Sequence, residues 1–74
     1  MARIPSLEEV IDWLRRKNIK FVNARRVAKA FKVSSKSAGH ILRKLKEKGY
    51  IKIHKKRRGR FIVYKVNESL LDYH

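Results

Sequence analysis

The chain has 74 residues, 43% of them apolar and 36% charged, with no cysteine and a formal net charge of +15. That length allows one small domain with a thin stability margin, and the apolar content is too high for a disordered basic tail. The lack of cysteine excludes disulfides and thiolate metal sites, no apolar run approaches the roughly 20 residues of a membrane span, and residues 1–10 lack the apolar centre of a signal peptide, so an intracellular, cytoplasmic protein is expected.

Ser6 opens the first expected helix. It is placed to cap the amide of Glu9, whose carboxylate reaches back, as in the S-x-x-E capping box. Leu7, Val10, Ile11 and Leu14 follow at i, i+3, i+4 and i+7, one apolar stripe. Arg15, Arg16 and Lys17 occupy the last turn, where cations suit the helix dipole, and Asn18 suits a left-handed C′ position. Trp13 stands beside the stripe and is expected to be partly exposed. Residues 19–22, short and rich in β-branched and aromatic types, read as a brief edge strand. Asn23 is the expected N-cap of a second helix over residues 24–31, with Val27, Ala28 and Phe31 inward.

Lys32, Val33 and Ser34 form a joint, and Ser34 caps a third helix over residues 35–48. Its apolar positions Ala38, Ile41, Leu42 and Leu45 repeat the i, i+3, i+4, i+7 spacing, and Gly49 ends it as a C′ glycine. The period then changes to two, with Ile51 and Ile53 alternating with Tyr50, Lys52 and His54. A basic loop with one glycine leads to a second strand over residues 61–66, with Ile62, Tyr64 and Val66 on one face and Phe61 and Val63 on the other. The two strands read as a hairpin. A tail over residues 67–74 docks through Leu70 and Leu71 as a half-turn of helix. The expected fold class is α+β in one domain, residues 1–74, with its core in residues 6–66.

Charge is segregated along this chain. Between Trp13 and Val66 there are twenty Lys and Arg residues and one acid, Glu47; each flank carries a net −2. A compact domain with such a surplus repels itself unless a polyanion is near, and nucleic acid is the simplest such partner. The chain has no Gln and no Thr; with its Lys, Arg and Ile content this composition fits a hot-environment source.

The element order resembles that of a winged helix-turn-helix. Residues 33–51, VSSKSAGHILRKLKEKGYI, look like the turn and recognition helix of that superfamily running into the wing, and residues 59–66, GRFIVYKV, are similar to its returning wing strand. Gly39 departs from the usual Ser-like residue inside the recognition helix. Two families within the fold are in view. One is the archaeal and bacterial winged-helix DNA-binding protein, either a transcription regulator or a small chromosomal, nucleoid-associated protein. The other is the winged-helix protein of the archaeal and eukaryotic small ribosomal subunit, to which residues 21–51 are also similar; that family usually carries a longer basic N-terminal extension than precedes Leu7 here.

The resemblance implies that the third helix enters the DNA major groove, which is wide enough to admit it. With Ala38, Ile41, Leu42 and Leu45 inward, Ser35, Lys36, Ser37 and His40 are the expected groove contacts, and Arg43 and Lys44 the phosphate contacts. Ser34 brings the capped helix N-terminus, with its free amides, toward phosphate. Lys55, Lys56, Arg57, Arg58 and Arg60 make the loop a second contact, on phosphate or in a narrow minor groove. Asn23, Arg25 and Arg26, opening the second helix, are placed to clamp a phosphate from the other side. Few of these side chains suit bidentate base readout, so double-stranded DNA binding of low to moderate sequence specificity is expected.

The alternatives are ribosomal RNA binding and a protein-binding adaptor with an acidic partner. A homodimer through Phe61, Val63, Trp13 or the C-terminal tail is a further alternative. No enzyme is expected, because there is no Cys nucleophile, no core acid pair and no Gly-rich phosphate loop. His40, His54 and His74 lack metal-site spacing, and no cofactor is expected.

Overall fold

A computed structural model describes residues 4–56, 58–59 and 61–71. Among them the chain forms an α+β fold of four helices and one antiparallel sheet, in the order α1 (Leu7–Arg16), β1 (Phe21–Val22), α2 (Ala24–Phe31), α3 (Ser35–Glu47), β2 (Ile51–Lys55), β3 (Val63–Val66) and α4 (Glu68–Leu71). The three strands lie in the spatial order β1-β3-β2, so the last strand of the chain is central.

Local chemistry sets the helix ends. The Glu9 amide donates to Ser6 Oγ at 3.1 Å, the Arg26 amide to Asn23 Oδ1 at 2.8 Å, and the Ser37 amide to Ser34 Oγ at 3.1 Å. Each bond satisfies a donor that the helix itself leaves without a partner. At the other ends the backbone turns left-handed at Asn18 (φ 51°) and Gly49 (φ 86°), as their types suggest, and at Lys32 (φ 55°). Lys32 is the C-cap of α2. A Cβ-bearing residue adopts this region at a cost of about 1–2 kcal/mol, accepted here to bring α3 back across α2 after a joint of three residues.

The core is Val10 and Leu14 of α1, Ile19, Val22 of β1, Val27 of α2, Ala38, Ile41, Leu42 and Leu45 of α3, Ile51, Tyr64 and Val66 of the sheet, and Leu70 of α4. No polar or charged side chain is buried among the described residues. Leu7, Ile11, Ala28, Phe31, Val33, Tyr50 and Ile62 pack around this centre, half-buried. Trp13 is partly exposed and sets its ring edge-on to Phe31, with centroids 5.3 Å apart, joining α1 to α2.

The hairpin departs from the alternation expected of it. Ile51 pairs with Val66 and Ile53 with Tyr64, so both isoleucines lie on the inner face, yet only Ile51 is buried and Ile53 is 40% exposed. Every residue of β2 after Ile51 is exposed, because the strand runs past the helices that cover its start. The returning strand begins at Val63, two residues later than expected. Ile62 is half-buried beside the core while Phe61 is exposed. The register also slips between Ile53 and Lys55, a bulge that leaves His54 as the extra residue on β2.

The end of the chain is tied down from two sides. The Asn67 amide donates to Tyr50 O at 2.9 Å, and Asn67 Oδ1 accepts from the Ser69 amide at 3.1 Å. Arg15 Nε donates to Leu70 O at 3.0 Å, so this cation fastens α4 to α1. Arg16 Nε lies 2.8 Å from Asp12 Oδ2 on the same helix. Arg15, expected only to suit the dipole of the last turn, thus makes a tertiary contact.

Leu42 is fully buried at the centre of this packing. Leu42→Ala is expected to lower the unfolding free energy by about 2–5 kcal/mol, measured by urea denaturation followed by circular dichroism. A loss well under 1 kcal/mol would mean that α3 is not seated by this face.

Candidate nucleic-acid interface

Four buried side chains orient α3. Ala38, Ile41, Leu42 and Leu45 all face the core, and at about 100° per residue the opposite side of the helix carries Lys36, His40, Arg43 and Glu47, spaced i, i+4, i+7, i+11. All four are exposed. Two stripes flank this line. Ser37, His40 and Lys44 border a depression shared with Ile4, Pro5 and Leu7, so this side of α3 faces the N-terminal segment. Lys36, Gly39 and Arg43 lie on the other side.

The start of α3 is partly committed to its own structure. Ser34 Oγ accepts from the Ser37 amide and donates to Ser37 Oγ at 3.1 Å. Ser37 is half-buried, whereas Ser35 and Lys36 are exposed. The amides of Ser35 and Lys36 remain the ones that helix geometry leaves to face an anion. Ser34 and Ser37 are therefore capping residues first, each keeping at most part of its hydroxyl for a ligand.

At α2, Arg25 and Arg26 are exposed, and Arg26 Nη1 sits 3.5 Å from Phe21 O, a long contact. Asn23 Oδ1 is engaged by the Arg26 amide, so only its NH₂ group is left to donate outward. In the hairpin loop Lys55, Lys56 and Arg58 are exposed, and Gly59 takes φ 74° at the turn. Arg57 and Arg60 lie outside the described residues. The loop extends from β2, which packs against α3 and follows it after Gly49 and Tyr50.

Within the described residues, Lys36, Arg43, Lys44, Lys55, Lys56 and Arg58 make no ion pair; Glu47, the acid at the far end of the α3 stripe, neutralises none of them. These cations are consequently available to a polyanion. No group of three or more His, Asp or Glu that could hold a metal ion occurs among the described residues, and none of their helices is long and apolar enough to cross a membrane. Of the residues expected at a self-association patch, Phe61 is exposed, Val63 half-buried and Trp13 engaged with Phe31.

Two features escaped the sequence reading. The first is the depression between the N-terminal segment and α3. The second is a ring pair, Phe21 with His54, whose centroids are 4.8 Å apart. A signal for half of it was present: with Val22 inward, a period of two turns Phe21 outward. The same period turns His54 outward on β2, but nothing local signals that the strand order brings the two rings together.

No protein-family model matches the chain, and no curated protein matches it.

Gly39 interrupts α3 at a place where an added Cβ would meet nothing within 4 Å. Gly39→Ala is expected to raise the unfolding free energy by about 0.5–1 kcal/mol, the usual helix-interior difference, visible as a higher melting temperature. A lowered one would show that the space above Gly39 is filled in the folded protein.

Proposed function

We propose that the chain is a winged-helix domain that binds double-stranded DNA, with α3 as the recognition helix in the major groove and the β2–β3 loop as the wing. The observation that carries this reading is the seating of α3. Its apolar side chains are all buried, so its outward face is a line of Lys36, His40 and Arg43 with Lys44 beside it, and the loop that extends from β2 presents Lys55, Lys56 and Arg58. The helix-strand-helix-helix-hairpin order and the short first strand paired to the hairpin support the same fold.

The division of labour follows from side-chain chemistry. Lys36, Arg43 and the loop cations meet phosphates, releasing condensed counterions, which supplies affinity without reading sequence. His40 and Ser35 are the side chains left to meet base edges. The first turn of α3 has no outward Arg, Asn or Gln, the types that read guanine or adenine bidentately. Sequence preference is therefore low to moderate, as in a chromosomal protein or a broadly acting regulator in the cytoplasm. The domain is read as a binding module without catalysis.

Titration of one labelled hairpin duplex as DNA and as RNA, at matched salt, tests the proposal. Tighter binding to DNA, with an affinity that falls about 10³–10⁵-fold between 50 and 200 mM salt if six to ten phosphates are contacted, is expected. Tighter binding to the RNA duplex would favour ribosomal RNA as the partner. Capture of an acidic protein, without nucleic-acid binding, would favour an adaptor. Replacing Lys56 and Arg58 together by Ala should weaken binding to all duplexes about equally and flatten the salt slope by about two. A changed sequence preference at unchanged salt slope would remove the loop from the phosphate backbone.

A further inference from the structure

The outer face of the sheet is a second, separate surface. Phe21, on the edge strand β1, pairs across β3 with Lys65, which pairs in turn with Lys52 on β2. Side chains at directly paired positions share a face, so Phe21, Lys65 and Lys52 form one row on the side away from the helices. Alternation along β2 puts His54 on the same side as Lys52, where it is the extra residue of the bulge, and its ring meets that of Phe21 at 4.8 Å with the planes tilted 50°. The two rings come from the two edge strands, so they meet over the central strand. Both residues are exposed, Phe21 at 43%. Lys65 is half-buried, as expected of a stem running beneath the rings with its ammonium free. Beside Phe21 an open depression of about 420 Å³ is lined by Lys20, Lys65, Glu68 and Leu71.

We infer that this face binds an unpaired strand of DNA, one base stacking on the Phe21–His54 platform while Lys20, Lys52 and Lys65 follow the phosphates. Exposed aromatic rings framed by cations are what sequence-tolerant binding of single strands requires, because every base has a π-face. A paired duplex offers no free base face to such a platform, so the occupant differs from the ligand of α3. A second copy of the chain is disfavoured by charge. A twofold interface would set the patch against itself, doubling its lysines with Glu68 as the acid at hand. A DNA strand brings the opposite charge and the flat apolar rings in one ligand. The inference stands apart from α3: it holds or fails on unpaired strands alone.

The test uses the full chain and labelled oligo(dT), oligo(U) and a blunt hairpin duplex in fluorescence anisotropy at low salt. Phe21→Leu keeps an apolar strand residue and removes the aromatic face. It is expected to weaken oligo(dT) binding about tenfold while leaving the blunt duplex within about twofold. Lys36→Ala with Arg43→Ala should do the reverse. In the unaltered protein, oligo(dT) should shift the ring-proton resonances of Phe21 and His54 upfield, a readout that needs no variant. Unmoved ring resonances, an equal loss on both ligands in Phe21→Leu, or tighter binding to oligo(U) would each overturn the inference. So would a dimer in sedimentation that Phe21→Leu dissociates, since the face would then be covered by a second copy.

Discussion

Ala38, Ile41, Leu42 and Leu45 hold α3 against the rest of the molecule, and nearly everything the protein presents to a partner follows from that grip. Turning the helix by one residue would bring a lysine, an arginine or His40 inward, and a buried unpaired charge is far more costly than any surface contact could offset. No polar or charged side chain is buried among the described residues, so no internal partner waits for one. The same four side chains thus select Lys36, His40 and Arg43 for the outside. The Ser34 cap and the left-handed Lys32 fix where the helix begins, and with it which residue stands at each point of the outward line.

The surplus charge has two opposed consequences. In the free domain the cations repel one another across a small surface, which lowers stability. Near a polyanion the same cations are neutralised, and whatever binds the folded form adds to its stability. Added salt eases the repulsion and weakens the binding together. The acids of α1 are placed away from this surplus. Glu8 and Glu9 occupy the first turn of α1, which favours negative charge, and Asp12 pairs with Arg16. The described loop cations Lys55, Lys56 and Arg58 are exposed and contribute nothing to the core.

Much of this was legible in the sequence, because the signals were local. Ser6, Asn23 and Ser34 announce helix starts through their own side-chain oxygens, and Asn18 and Gly49 announce ends through the backbone region they tolerate. The i, i+3, i+4, i+7 stripes identify the buried faces of α1 and α3. What failed was decided by non-local packing. Ile53 has the inward parity of Ile51, but parity states which face a residue occupies and not whether anything covers that face. Arg15 read only as a cation of the last turn of α1, yet it binds a carbonyl of α4. The Phe21–His54 pair joins residues far apart in the chain, through a strand order that no period of two encodes.

The two elements proposed to meet DNA differ in how firmly they are held, and that difference bears on specificity. The α3 side chains rise from a helix seated on the core, so their spacing is fixed before any ligand arrives. β2 leaves the core after Ile51, and beyond that point it is held by backbone pairing to β3 and by the contact of His54 with Phe21. Such a segment has few buried contacts and opens or bends at low cost. Base readout needs fixed donors at fixed spacing, and the rigid element here supplies short hydroxyls at its start, two of them engaged in the cap. Apart from Lys36, the long cations capable of strong contact sit on the compliant element or further along α3, where phosphate is the nearer target. Rigidity and reach are thus assigned to different residues, which favours affinity for the duplex as a charged surface over discrimination among its sequences.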